Sequence, residues 1–239
     1  MKSNFTFTFE YIKQQYKQVL DLGYKVITCE EYITYKKKKE TFNALVSRVD
    51  IDLSVRKANY LVDLFNELGI KATFFLRLHA PEYNPFSYEN YRIIKKLIEC
   101  GHELGYHSEI VDQAAIWNEN PYDCLVRDIE IINKMFGITI KGVASHGGMT
   151  GLNNLEFWKE HKPAEFGLLY EGYDKEPEFN LFQESFYVSD SEWTKWKCYD
   201  KGKLIEDNRK SLAEHAADRH KILHVLIHPD TYFNRHIYE

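Results

Sequence analysis

No run of apolar residues in this chain approaches the ~18 that a membrane-spanning helix needs. The opening MKSNFTFTFEYIK also lacks the apolar segment of a secretory signal. These absences predict a cytoplasmic protein with no stable membrane insertion. Cysteine is sparse: Cys29, Cys100, Cys124 and Cys198 lie far apart with no C-x-x-C pair. That excludes a cysteine zinc knuckle and a compact disulfide framework, and leaves reduced, partly buried thiols. Basic charge is not in excess either, with 31 Lys and Arg against 36 Asp and Glu and a net charge of −5. Nothing draws the chain to nucleic acid, and the one basic cluster, Lys36 to Lys39, reads as a solvated turn. No repeat, low-complexity linker or composition break divides the chain, so residues 1–239 are expected to form a single domain.

What is present is an alternation. An amphipathic stretch from Phe9 to Leu22 ends at Gly23, a natural helix C-cap, and the short extended run YKVIT follows. Strand-like runs then recur at NALVSRVDID, KATFFLR, GHELGYH, IKGVASH, FGLLYE, SFYVSD and HKILHVLIH. Helical patterns lie between several of them, clearest in VRKANYLVDLFNELGI, ENYRIIKKLIECG, DCLVRDIEIINKMFG and LIEDNRKSLAEHAADR. Strand followed by helix, repeated, is the pattern of an α/β protein with a parallel sheet or barrel. An apolar content of 44% with 15% aromatics is ample for its core.

The run RVDID places two aspartates in a buried-looking strand, where aspartate is disfavoured. Side chains alternate along a strand, so Arg48, Asp50 and Asp52 face one way while Val49, Ile51 and Leu53 face the other. The charged row would line a cavity, with Arg48 or a metal ion relieving the repulsion between carboxylates. The plain alternatives are a salt-bridged strand end or a helix N-cap at Asp52. Three histidines also stand where apolar strands give way to turns: His107 in GHELGYH, His146 in VASHGG and His228 in LIHPD. A lone histidine there is usually structural. Three such ends with an Asp-x-Asp end match α/β barrels, whose catalytic groups gather at strand C-termini.

In their order, RVDID, GIKATFFLR, GHELGYHSE, VASHGG, VSDSEW and LIHPDTY resemble the polysaccharide deacetylases of NodB-homology type, the family-four carbohydrate esterases. The nearest likeness is to a branch whose first motif reads Arg-His-Asp-Val-Asp, with Val49 here in place of the histidine. The resemblance spans about Phe9 to Tyr232. It implies a distorted (β/α) barrel, typically seven-stranded, hydrolysing the N-acetyl group of an amino sugar with one divalent metal, zinc by preference. It also implies roles: Asp50 as general base, Asp52 and His107 as metal ligands, His228 as general acid.

Two departures from that pattern are visible. The position four after His107, where the family places a second metal histidine, is Val111, which cannot bind a metal. Replacement ligands are His146, Glu109 and Asp112, of which His146 is favoured. The family's Arg-x-Pro motif, whose arginine holds the catalytic aspartate, reads VASHGG here. Arg48, on the same strand face as Asp50, takes that part as a bidentate partner. Further candidates are substrate contacts: Arg77 at the end of TFFLR for a phosphate or carboxylate, and Asp190 with Trp193 as an acid beside an aromatic face for a sugar ring. An exposed strand-end arginine and a core tryptophan are the bland alternatives. The expected function is a metal-dependent deacetylase acting on an amino-sugar substrate in cell-surface polysaccharide biosynthesis or modification. The rivals are an amidase or imidase acting on another C–N bond, and a non-catalytic carbohydrate-binding descendant.

Overall fold

The strand that carries RVDID, β2 (Ala44–Ile51), is buried on both faces and sits at the centre of the molecule. The computed structural model describes residues 6–192, 196–206 and 210–235. Around β2 are β1 (Lys25–Ile27), β3 (Thr73–Leu76), β4 (Glu103–Ser108), β5 (Gly142–Ser145), β6 (Tyr170–Glu171), β7 (Phe186–Ser189), β8 (Lys197–Asp200), β9 (Lys203–Ile205) and β10 (Ile222–Ile227). The sheet runs β6-β5-β4-β3-β2-β10-β7-β8-β9. Its first seven strands are all parallel, as the strand–helix alternation requires. β1 adds beside the first half of β2, and β8 and β9 extend β7 as an antiparallel hairpin.

The architecture is therefore α/β with a curled, mostly parallel sheet. The expected barrel does not close: among the described residues β6 pairs only with β5, and β7 only with β10 and β8. The segment between β6 and β7 covers that gap, with Phe179 stacked on Tyr170 at 4.3 Å between ring centroids.

Helices α1 (Phe9–Asp21), α3 (Val55–Glu67), α4 (Tyr88–Glu99) and α6 (Pro121–Phe136) cover the outer face. Their caps follow the local sequence. Thr8, Ser54, Ser87 and Asn120 each accept a hydrogen bond from a first-turn backbone N–H. Ser54, and not Asp52, is thus the N-cap after β2, which leaves the Asp52 carboxylate available to the interior. The outward residues Leu45, Val49 and Ile51 join the helices in the larger apolar core. A second, smaller core fills the inside below the charged row: Val46, Phe75 and Tyr170 meet Tyr32 and Tyr35 of α2 (Cys29–Lys38).

Several expectations need correction. Lys36 to Lys38 form the last turn of α2, where positive charge complements the helix dipole, with Lys39 in the left-handed conformation after it. The late helical pattern begins with strand: Leu204 and Ile205 belong to β9, and among its described residues only Leu212–Ala217, α8, is helical. Two short helices, α5 (Ile110–Trp117) and α7 (Leu181–Glu184), lack a periodic signature in the sequence. The four cysteines carry unbridged thiols, three of them buried. Among the described residues, no helix is long and apolar enough to cross a membrane.

Candidate active site

The C-terminal ends of β2, β4, β5, β7 and β10 converge on one cavity of about 270 Å³, lined by Arg48, Asp50, Asp52, His107, His146 and His228 among others. Parallel register explains the convergence: each of these strands ends at the same level, so turn residues from distant parts of the chain meet there. An adjoining cavity of about 230 Å³, lined by Arg77, Met149 and Asp230, shares Asp52, His146 and His228 with the first.

Arg48 and Asp50 form a bidentate pair, Nε donating to Oδ1 at 2.8 Å and Nη2 to Oδ2 at 2.7 Å. Arg48 is 1% and Asp50 2% exposed. Burial alone would raise the Asp50 carboxyl; the Arg48 guanidinium, with His107 behind it, outweighs burial and holds it below the usual carboxylate range. Glycine at 172 permits this arrangement, since a Cβ there would stand 2.9 Å from Arg48 Nη1.

His107 is 2% exposed, and its Nδ1 lies 2.8 Å from the Ala144 carbonyl oxygen. Only a protonated ring nitrogen can donate to a carbonyl, so Nε2 is the atom that faces the cavity. It lies 3.3 Å from both Asp50 Oδ2 and Asp52 Oδ1. A neutral ring there would present a lone pair to two carboxylates, so either a proton on Nε2 or a cation between the groups relieves the contact. Burial disfavours the charged ring, yet the two carboxylates prevail and raise the His107 pKa. Burial likewise works against ionised Asp52, but His107, His228 and His146 hold its carboxyl low.

Asp52, His107 and His146 present ligand atoms that all lie within 4.8 Å of one another. Two imidazoles and a carboxylate suit zinc better than the hard, oxygen-seeking cations. The buried Asp52 Oδ1 has His107 Nε2 at 3.3 Å as its one close polar neighbour and no well-formed hydrogen bond among the described residues, an arrangement an ion between the two atoms would satisfy. The residues present therefore fit a divalent ion.

The other candidates for the third ligand are placed elsewhere. Glu109 pairs with Arg77 Nη2 at 2.7 Å and stands 3.2 Å from His146 Nδ1, behind the imidazole. Asp112 accepts hydrogen bonds from the Met149 and Thr150 amides, the Thr150 hydroxyl and Asn154, and so anchors the loop after β5. Val111 lies in the first turn of α5, packed against the outer core, because β4 ends at Ser108.

His228 follows β10, with Nδ1 bonded to Asp190 Oδ1 at 2.6 Å and its backbone N–H to Oδ2 at 2.9 Å. Nε2 thereby turns to the cavity, 3.7 Å from Asp52 Oδ2. Burial opposes protonation, but Asp190, aided by Asp50 and Asp52, raises the His228 pKa to about 9.

The expected substrate contacts fare differently. Asp190 is fully buried and occupied with His228, so it is not available to a sugar. Arg77 is 3% exposed, held by Glu109 and by the Asp52 carbonyl oxygen at 3.1 Å, and only edges the smaller cavity. Trp193 lies outside the described residues. The sequence reading missed Tyr173, Tyr187, Lys197 and Tyr199, which wall the larger cavity. The alternation Lys197–Cys198–Tyr199 in β8 is the one signal that could have found two of them.

No family model matches the chain, and no curated protein does. Solved structures similar to it include a deacetylase from Streptococcus pyogenes, 15% identical over 63% of this chain and 68% of that one, with a TM-score of 0.47. Another is the catalytic domain of a peptidoglycan N-acetylglucosamine deacetylase from Eubacterium rectale, 18% identical over 80% and 78%, TM-score 0.47. A third is a family-four carbohydrate esterase pseudoenzyme from Bacillus anthracis, 15% identical over 77% and 54%, TM-score 0.45. The likeness is a partial one of fold.

Proposed function

We propose that this chain is a metal-dependent hydrolase that removes an N-acyl group, acetyl in the first instance, from an amino sugar in polysaccharide biosynthesis or modification. The observation that carries the reading is a three-part constellation around one cavity. Asp52, His107 and His146 are grouped for a divalent ion, zinc by donor type. Asp50 is fixed by Arg48 on one side, and His228 is fixed by Asp190 on the other. A binding protein has no need of a held carboxylate and a held imidazole facing across a metal-ligand set.

A bound zinc ion would polarise the amide carbonyl and acidify water in the site. The protein's own groups divide the proton work. Asp50 accepts a proton from the attacking water; Arg48 uses only two of its oxygen lone-pair directions and keeps the carboxylate aimed. His228, oriented through Nδ1, carries a proton on Nε2 and delivers it to the departing amine nitrogen, which is too basic to leave without it. Glu109 stands behind His146 as Ala144 stands behind His107, fixing the ring presented to the metal.

The test combines metal analysis with turnover. Protein purified without chelator should hold one equivalent of divalent ion, lost in Asp52→Ala, and should release acetate from N-acetylglucosamine oligomers. Metal without turnover on acylated sugars, but with turnover on cyclic imides or small amides, would move the assignment to another C–N bond. Metal with no hydrolysis on either panel would leave a binding protein.

A further inference from the structure

A second group of metal-ligating side chains lies at the opposite end of the strands that lead to Asp190 and His228. His215, Asp218 and His220 each offer one ligand atom, and these atoms all lie within 4.8 Å of one another. His215 belongs to α8 and Asp218 caps it three residues on, a spacing that puts both on one helix face. Arg219 then takes the left-handed conformation, φ 63°, which turns the chain back and brings His220 beside the last helical turn, just before β10 begins. The backbone of this turn is pinned. The buried Tyr24 hydroxyl lies 2.6 Å from the His220 carbonyl oxygen and 3.3 Å from that of Ala216, and Arg219 Nη1 donates to the Leu22 carbonyl oxygen at 2.7 Å. The rings are held as well. Phe186, the first residue of β7, stacks on His220 at 4.0 Å between centroids and lies 4.6 Å from the His215 ring. Cys198 Sγ stands 3.5 Å from His215 Nε2, so Nδ1 is the nitrogen turned toward Asp218, 3.9 Å from Oδ2.

Two imidazoles and a carboxylate make a donor set for zinc or a similar borderline divalent ion, not for magnesium or calcium. Helix face, turn and ring stacking order these groups before any ion arrives, so binding loses less side-chain freedom than it would among loose surface residues. One competitor is present: Lys210 Nζ engages Asp218 Oδ2 at 2.6 Å. An ion pair this exposed contributes little, and it leaves the other carboxylate oxygen out of the pair. We infer that His215, Asp218 and His220 form a second zinc site, with water completing the coordination. It is separated from the active site by the six residues of β10, roughly 20 Å. Bound there, the ion ties the end of α8 to the entry of β10 and, through the ring of Phe186, to the start of β7. Because Lys210 must yield, this site is the weaker of the two and fills on added zinc, while the protein as purified carries the active-site ion.

Zinc titration of metal-stripped protein, read by competition with a chromogenic chelator in excess magnesium, tests it. The wild type should take up two equivalents and Asp52→Ala one, whatever reaction the active site catalyses. His220→Phe keeps a ring for Phe186 to stack on but offers no lone pair. It should retain the active-site equivalent, which shows that it folds, and bind the second about tenfold or more weakly. Asp218→Ala should do the same without altering an aromatic contact. In Asp52→Ala, where only the second site remains, zinc at about a hundredfold excess over its Kd should raise Tm by about 5 °C or more. That rise should vanish when His220→Phe is added. An Asp52→Ala protein that takes up no zinc, or one whose equivalent survives both His220→Phe and Asp218→Ala, overturns the inference.

Discussion

Asp190 and His228, 38 residues apart on the ends of neighbouring strands, are joined twice: the carboxylate accepts the imidazole Nδ1–H at 2.6 Å and the His228 backbone N–H at 2.9 Å. The first bond fixes the tautomer and the second fixes the ring's position along the strand end. Asp190→Asn keeps the shape but favours the other tautomer. We expect kcat to fall about a hundredfold or more while metal content stays at the wild-type level, measured by metal analysis beside initial rates.

Arg48 and Asp50 allow a second separation. Arg48→Lys retains charge but cannot reproduce the two parallel N–H donors. Turnover should drop at least tenfold with little change in KM; an unchanged kcat would remove Arg48 from the mechanism. Gly172→Ala should shift kcat in the same direction without touching any reacting group, because its Cβ intrudes on Arg48 Nη1.

The metal ligands should show graded losses. Asp52→Ala, His107→Ala and His146→Ala are each expected to lower stoichiometric zinc binding severely. Glu109→Gln, which alters the support behind His146 and the pair with Arg77 but removes no ligand atom, should weaken affinity about 10- to 100-fold. Competition with a chromogenic chelator measures both classes. Full zinc affinity in His146→Ala would leave His146 out of the ligand set.

Stability of the metal-free protein should depend on pH from both sides. Burial depresses His224 to about 3 and His102 and His215 to about 4, so the folded state keeps them neutral where the unfolded chain takes up protons. Their contribution is intact above about pH 6.5. It is lost as pH falls toward 4, by up to about 1.4 kcal/mol per unit for each ring. His228 runs the other way: its pKa, raised to about 9, gives stability present below 6.5 and lost as pH rises through 9. Urea unfolding at pH 5, 6.5 and 9 with chelator present should show a maximum near the middle value, and His224→Met should flatten the acid limb. A monotonic profile would contradict these assignments.

Much of this was legible in the sequence because it is local. The extended and periodic runs located eight of the ten strands and the four long helices, for burial on one face imposes a period of 2 or 3.6 whatever the rest of the chain does. Alternation in RVDID put Arg48, Asp50 and Asp52 on one face, and the strand–turn boundaries singled out His107, His146 and His228. Short elements escaped: α2 is a plug whose tyrosines are buried by long-range packing, and the hairpin β8–β9 has too few residues to show a period.

The sequence by itself determined the elements, the charged row on β2 and the residue types able to bind a metal. Tertiary structure alone decided which of them meet. Parallel register brought His146 to Asp52 and His107 in place of the position held by Val111, and it set Asp190 behind His228. Such pairings depend on distances between segments far apart in the chain, which are fixed only when the sheet curls around a shared interior.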